Sequence, residues 1–113
     1  MSKIGYVRVS TQEQETARQL KIMSDYGVEK IFEEKASGKN TQREAFCKMM
    51  DYLREGDQLY IESISRLSRS IRDLLSTVDK LTEKNVELIS HKENIDTSTP
   101  QGRFVLSLFA ALS

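Results

Sequence analysis

Residues 6–14 read YVRVSTQEQ: an apolar strand carrying Arg8 runs into a hydroxyl pair, Ser10 and Thr11, and then into helix. The junction sets a candidate nucleophile two residues after a cation able to hold phosphate. A serine at the carboxyl end of a strand, in a sheet with helices on its faces, lies where ligands and chemistry gather in open α/β folds. Further on, residues 63–72, SISRLSRSIR, carry Arg66, Arg69 and Arg72 with no acid among them, and Arg43 follows the stretch KASGKN at residues 35–40. If these segments meet at the carboxyl edge of one sheet, a single hydroxyl faces several guanidiniums. Arginine binds phosphate through a planar fork of donors and keeps its charge, which suits the extra-charged transition state of phosphodiester exchange. Losing one such donor typically costs ~3–4 kcal/mol of barrier, so several together could replace a metal ion.

Other chemistries are poorly supplied. The chain has one histidine, His91, no Cys/His spacing and no paired-carboxylate pattern, so neither a metal nor another cofactor is expected. A Ser/His/Asp triad would have to use His91, which falls after a strand and reads as a surface residue. No Gly-rich phosphate loop is present. The lone Cys47, between Phe46 and Met49, reads as a core residue in a reducing interior. Plain structural roles compete at the other positions. Ser10 with Glu13 forms a capping-box pattern, and Arg8, Arg18 and Arg43 have Glu13, Glu15 and Glu44 nearby in sequence. The Arg66 and Arg69 pair is harder to explain that way, because a positive helix start wastes the helix dipole unless an anion is present.

The elements that must position these residues follow from periodicity. At 113 residues, 38% hydrophobic and 30% charged, the chain suits one soluble domain. Lys+Arg and Asp+Glu balance at 17 each, so net charge gives no argument for nucleic acid. With no leader pattern and no long apolar run, a cytoplasmic protein without a membrane segment is expected. Residues 3–9 read as a buried strand, followed by a helix from Ser10 or Thr11 to about Tyr26 that stops at Gly27. Ile31 and Phe32 mark a second strand, and residues 35–40 read as a mobile loop. Thr41 with Glu44 opens a helix whose Phe46, Met49, Met50 and Leu53 form one stripe and which ends at Gly56. Residues 58–62 make a third strand, Ile71 to Leu81 a third amphipathic helix, and residues 86–90 a fourth strand. A short extended piece at residues 93–95 precedes a last helix opened by Thr99 and Pro100. Alternating strands and helices predict an α/β fold with a mostly parallel sheet of four to five strands flanked by helices. The final FVLSLFAAL is apolar on more than one side, so it needs a partner or a continuation beyond its own sheet.

Four motifs in order, YVRVST, SGK with a following arginine, SRLSR and DTSTPQGR, resemble the serine recombinases: the resolvases, DNA invertases and phage-type integrases. The likeness covers essentially the whole chain. It implies a resolvase-like catalytic domain in residues 1–98 and, in residues 99–113, the start of a truncated dimerisation helix, with the DNA-binding domain absent. It implies that Ser10 attacks a DNA phosphodiester to give a 5′-phosphoserine bond and a free 3′ hydroxyl, and that the reverse attack rejoins exchanged strands without ATP or metal. Arg8, Arg66 and Arg69 match the family's active-site arginines, Arg43 the arginine after the mobile loop, and Gln19 a glutamine that orders the site. DNA is the implied partner, with a homodimer assembling to a tetramer in the full-length protein. A fragment of this length is expected to be poorly active or inactive alone. One position departs: many resolvases and invertases carry an aspartate where this chain has Ser65, which can hydrogen-bond but not act as a carboxylate base. The alternative is a non-catalytic flavodoxin-like module that binds phosphate or a partner, with Ser10 as a helix cap only.

Overall fold

The computed structural model describes residues 2–9, 13–35 and 43–112. The elements run β1 (Lys3–Val9), α1 (Glu13–Tyr26), β2 (Lys30–Lys35), α2 (Glu44–Tyr52), β3 (Gln58–Ile61), α3 (Ile64–Leu67), α4 (Ile71–Glu83), β4 (Glu87–Ser90), β5 (Ile95–Asp96) and α5 (Pro100–Leu112). They form one sheet in the order β2-β1-β3-β4-β5, parallel through β4, with β5 antiparallel to it. The expected α/β architecture is therefore observed. No helix among the described residues is long and apolar enough to cross a membrane.

Strand alternation sends successive side chains to opposite faces, and each face has its own helices. Ile4, Tyr6, Leu59, Ile61 and Leu88 point into the larger core, against Met49 and Leu53, Leu74 and Leu81, and Leu106. Val7, Tyr60 and Ile89 point the other way, against Met23 of α1. Each fully buried side chain of this size contributes ~1.5–3 kcal/mol, so the two cores together hold the sheet between its helices. α1 lies so close to β1 that a Cβ on Gly5 would stand 2.9 Å from Met23 Sδ and 3.1 Å from Val28 Cγ1.

Helix ends follow local chemistry in three cases and tertiary chemistry in one. α1 stops at Gly27, whose φ of 76° lets Val28 N–H donate back to the Met23 carbonyl at 3.0 Å. Ser70 Oγ accepts from Asp73 N–H at the start of α4, and Thr99 Oγ1 accepts from Gly102 N–H at the start of α5. α2 is different. Thr41 lies outside the described residues, the helix starts at Glu44, and Arg43 holds the N-cap position with φ 49° and no side-chain cap bond. The buried Glu34 of β2 supplies the cap instead, accepting from Ala45 N–H at 3.3 Å and Phe46 N–H at 3.0 Å. The helix also ends at Tyr52 rather than at Gly56, because Leu53 turns extended at ψ 137°. Cys47 corrects another expectation: it is exposed, not core. Two residues from buried Met49, it falls about 200° around the helix and so on the opposite side.

Candidate active site at the carboxyl edge of the sheet

β1 is the strand at which the sheet's order reverses, since β2 joins it on one side and β3 on the other. Its pairing with β3 stops at Gly5 and Tyr60, whereas its pairing with β2 runs on to Val9 and Lys35. The two strands therefore part toward their carboxyl ends, and α3 packs against β1 at that end of the molecule. This is the topological switch point at which open α/β sheets hold ligands. Ser10, the first residue after β1, lies outside the described residues, as do residues 36–40 of the loop.

The residues around the crevice are held from several sides. Arg8 is the penultimate residue of β1; its N–H donates to Gln19 Oε1 at 3.3 Å, and its carbonyl accepts from Gln19 Nε2 at 2.9 Å. Gln19 is fully buried and so fastens α1 to the strand end that leads into Ser10. Among the described residues no acid pairs with the Arg8 guanidinium. Its register partner is Glu34, whose carboxylate instead takes the two α2 amides and the Tyr6 hydroxyl, the last at 3.1 Å. Burial, opposed in part by the hydrogen bond from Arg43 and reinforced by Glu34, pushes the Tyr6 phenol up to about 12. Burial likewise raises the Tyr60 phenol.

Arg43 reaches across to the arginine-rich segment. It donates to the Leu67 carbonyl, pairs with Asp73 at 3.4 Å, and lies 4.0 Å over the Phe46 ring. Its left-handed backbone and its buried Nε without a hydrogen-bond partner mark a strained, specifically held arginine. Arg66 sits on α3, a short helix that periodicity did not foretell, and Arg69 sits between α3 and α4. Glu93 accepts from Ile64 N–H at 3.2 Å, Asp73 accepts from Arg69 N–H at 3.2 Å, and Glu62 accepts from Arg66 Nε at 3.2 Å. The segment that reads as acid-free is thus flanked by three carboxylates from outside or just beyond its core. Asp73 also lies in the first turn of α4, so the helix start is not simply positive. The Arg69 side chain is exposed, with no acid partner among the described residues. It borders an open groove of about 360 Å³ shared with Ser65, Ser68, Ile71 and Phe109. Ser65 is exposed, its Oγ 2.9 Å from Ser63 Oγ.

The structure thus joins Arg8 to Gln19 and Arg43 to the segment bearing Arg66 and Arg69. His91 lies apart from this chemistry; it is exposed and its Nδ1 is 2.9 Å from the Tyr26 hydroxyl, which leaves a triad without its carboxylate among the described residues. Nothing in the motif pattern assigns Tyr6, Glu34, Glu62 or Asp73 to the crevice. Two of them carry a signal in the sequence: Glu62 stands at i−4 to Arg66, the spacing at which helical ion pairs meet, and Asp73 stands three after Ser70, the capping-box spacing.

Fold and crevice define a small doubly wound α/β domain with an arginine-lined switch point. Residues 3–113 match the family model described as the N-terminal domain of resolvase, and the chain belongs to that family. It is 46% identical over 110 residues to a DNA-invertase of Enterobacteria phage P7, covering 97% of this chain and 59% of that protein. It is 43% identical over 115 residues to a resolvase of Clostridium perfringens, covering 97% and 61%. The crystal structure of the N-terminal catalytic domain of TP901-1 integrase superposes with a TM-score of 0.79 at 27% identity, covering 98% of this chain and 93% of that one. The chain spans about three-fifths of the length of these curated relatives.

Proposed function

We propose that the intact protein is a site-specific DNA recombinase and that this domain carries its cleavage and rejoining centre. In this reading Ser10 Oγ attacks a DNA phosphorus in line, the new Oγ–P bond forms as the P–O3′ bond breaks, and the leaving 3′ oxygen takes up a proton. The reverse attack by a 3′ hydroxyl from the exchanged strand restores the DNA and frees Ser10. Arg8, Arg66 and Arg69 stabilise the charge on the phosphoryl oxygens, Arg43 braces the segment that bears the latter two, and Gln19 sets the strand end through the Arg8 backbone. Ser65 serves as a hydrogen-bond donor, so the general base is not assigned to it. DNA is the partner, and a homodimer that assembles to a tetramer carries out the exchange. Residues 99–113 begin the dimerising helix. The one observation that carries the reading is the convergence at the β1/β3 switch point: the strand leading into Ser10 lies on one side and the Arg43-braced arginine segment on the other.

The test is covalent trapping. The intact protein is incubated with a supercoiled plasmid library of genomic fragments from its source, denatured, and recovered as protein–DNA adducts, with the linkage mapped by peptide mass spectrometry. A deoxynucleotide remnant on Ser10, lost in Ser10→Ala without loss of the cooperative melt, is expected. A wild-type protein that forms no adduct, with Ser10→Ala costing only about 0.5–2 kcal/mol of stability, points instead to a binding module with a capping serine.

A further inference from the structure

Glu62 is the first residue after β3, and its side chain is buried, 4% exposed, at the edge where β1 and β3 part. Each of its carboxylate oxygens is engaged by a guanidinium from a different element. Oε1 lies 2.5 Å from Arg18 Nη1 of α1, and Oε2 accepts from Arg66 Nε of α3 at 3.2 Å. Burying a carboxylate is costly, and an ion pair that repays the cost is a weak way to stabilise a fold, since apolar residues of the same volume often do as well or better. The placement is better explained by what the acid holds. Arg18 immediately precedes Gln19, whose amide clasps the Arg8 backbone, so the carboxylate joins the nucleophile side of the crevice to the arginine side. Ser65, the neighbour of Arg66, is exposed and bonded to Ser63, and brings no charge. A guanidinium anchored through Nε has its plane fixed, and a fixed donor plane favours the bidentate mode in which arginine recognises phosphate best.

We infer that Glu62 is a positioning residue that orients Arg66 for the reacting phosphate and couples that orientation to α1. The inference rests on the reading of Arg66 as a phosphate ligand. It calls for no proton transfer by Glu62 and no contact between Glu62 and DNA.

The experiment is a double-mutant cycle on single-turnover adduct formation in the intact protein, using a plasmid recovered by trapping as substrate. Glu62→Gln keeps size and one acceptor but removes the charge. It is expected to slow cleavage by about 10²-fold, the cost typical of a misplaced reacting group, with little change in the amount of plasmid bound. In an Arg66→Ala background the same substitution is expected to cost no more than about twofold, because the group it positions is gone. An equal loss in both backgrounds, or no loss in either, overturns the positioning role. If Arg66→Ala itself cleaves at the wild-type rate, the reading of Arg66 falls, and the inference with it. Should Glu62→Gln lose its cooperative melt, the cycle is run with Glu62→Asp, which keeps the charge but withdraws it by one methylene. That variant should cost about tenfold alone and again almost nothing without Arg66.

Discussion

The crevice and the outer face of α5 treat their side chains in opposite ways. At the crevice, buried polar groups are largely satisfied within the chain: Glu34 takes two amides and a phenol, Gln19 both backbone groups of Arg8, and Glu62 two guanidiniums. On α5, Leu106 is buried, but Phe104, Leu108 and Leu112 stand 62%, 48% and 76% exposed in a helix with no acid and a single base, Arg103. A polar site that is satisfied internally can hold its geometry before any ligand arrives. An apolar helix face left in water has the character of a surface awaiting a partner. The contrast separates an internally satisfied polar end from an exposed apolar helix face, and its two halves respond to different perturbations.

The largest effect is expected from Gln19→Leu. It strands an N–H and a carbonyl of Arg8 together, and urea denaturation should show a loss of about 2–4 kcal/mol at unchanged m. A loss under 1 kcal/mol would mean that water replaces the amide and that the crevice is looser than its bonding indicates. Next comes alkaline pH. Tyr6 is neutral and fully buried, with its phenol raised from 10.0 to about 12. The stabilisation tied to the neutral phenol is complete below about pH 10 and is lost as pH rises through 10 toward 12, in all ~2–3 kcal/mol. Tyr6→Phe should flatten that decline, at a cost near neutrality of about 1 kcal/mol for the bond to Glu34. An unchanged decline in the variant would assign it to other groups. The smallest stability effect belongs to the exposed face of α5: Leu108→Asp should move the unfolding free energy by no more than about 0.5 kcal/mol. The same change should lower the sedimentation coefficient of any self-associated species, and a destabilisation of 2 kcal/mol would place Leu108 in the domain core instead.

Much of the fold was legible because parallel strands buried on both faces announce themselves as short apolar runs. β1 has the expected limits, and α4, β4 and α5 begin within one or two residues of where capping chemistry and periodicity put them. The failures have a common cause. α2 begins where Glu34, ten residues earlier, can reach its amides, so the local Thr41/Glu44 pattern did not decide its start. The apolar neighbours of Cys47 point to the core, whereas exposure on a helix depends on angle. The stretch at residues 63–72 holds no acid, as its sequence says, and the carboxylates that engage it come from positions 62, 73 and 93, which the stretch by itself cannot show.

Sequence alone determined the alternation of strands and helices, the serine at the end of β1, the order of the arginines, and an apolar last helix in need of cover. These depend on periodicity and on residue type, which are local properties. Only the tertiary structure decided that Glu62 also holds Arg18 and that Asp73 holds Arg43, because these pairings join residues 44 and 30 positions apart and are fixed by strand order and helix packing.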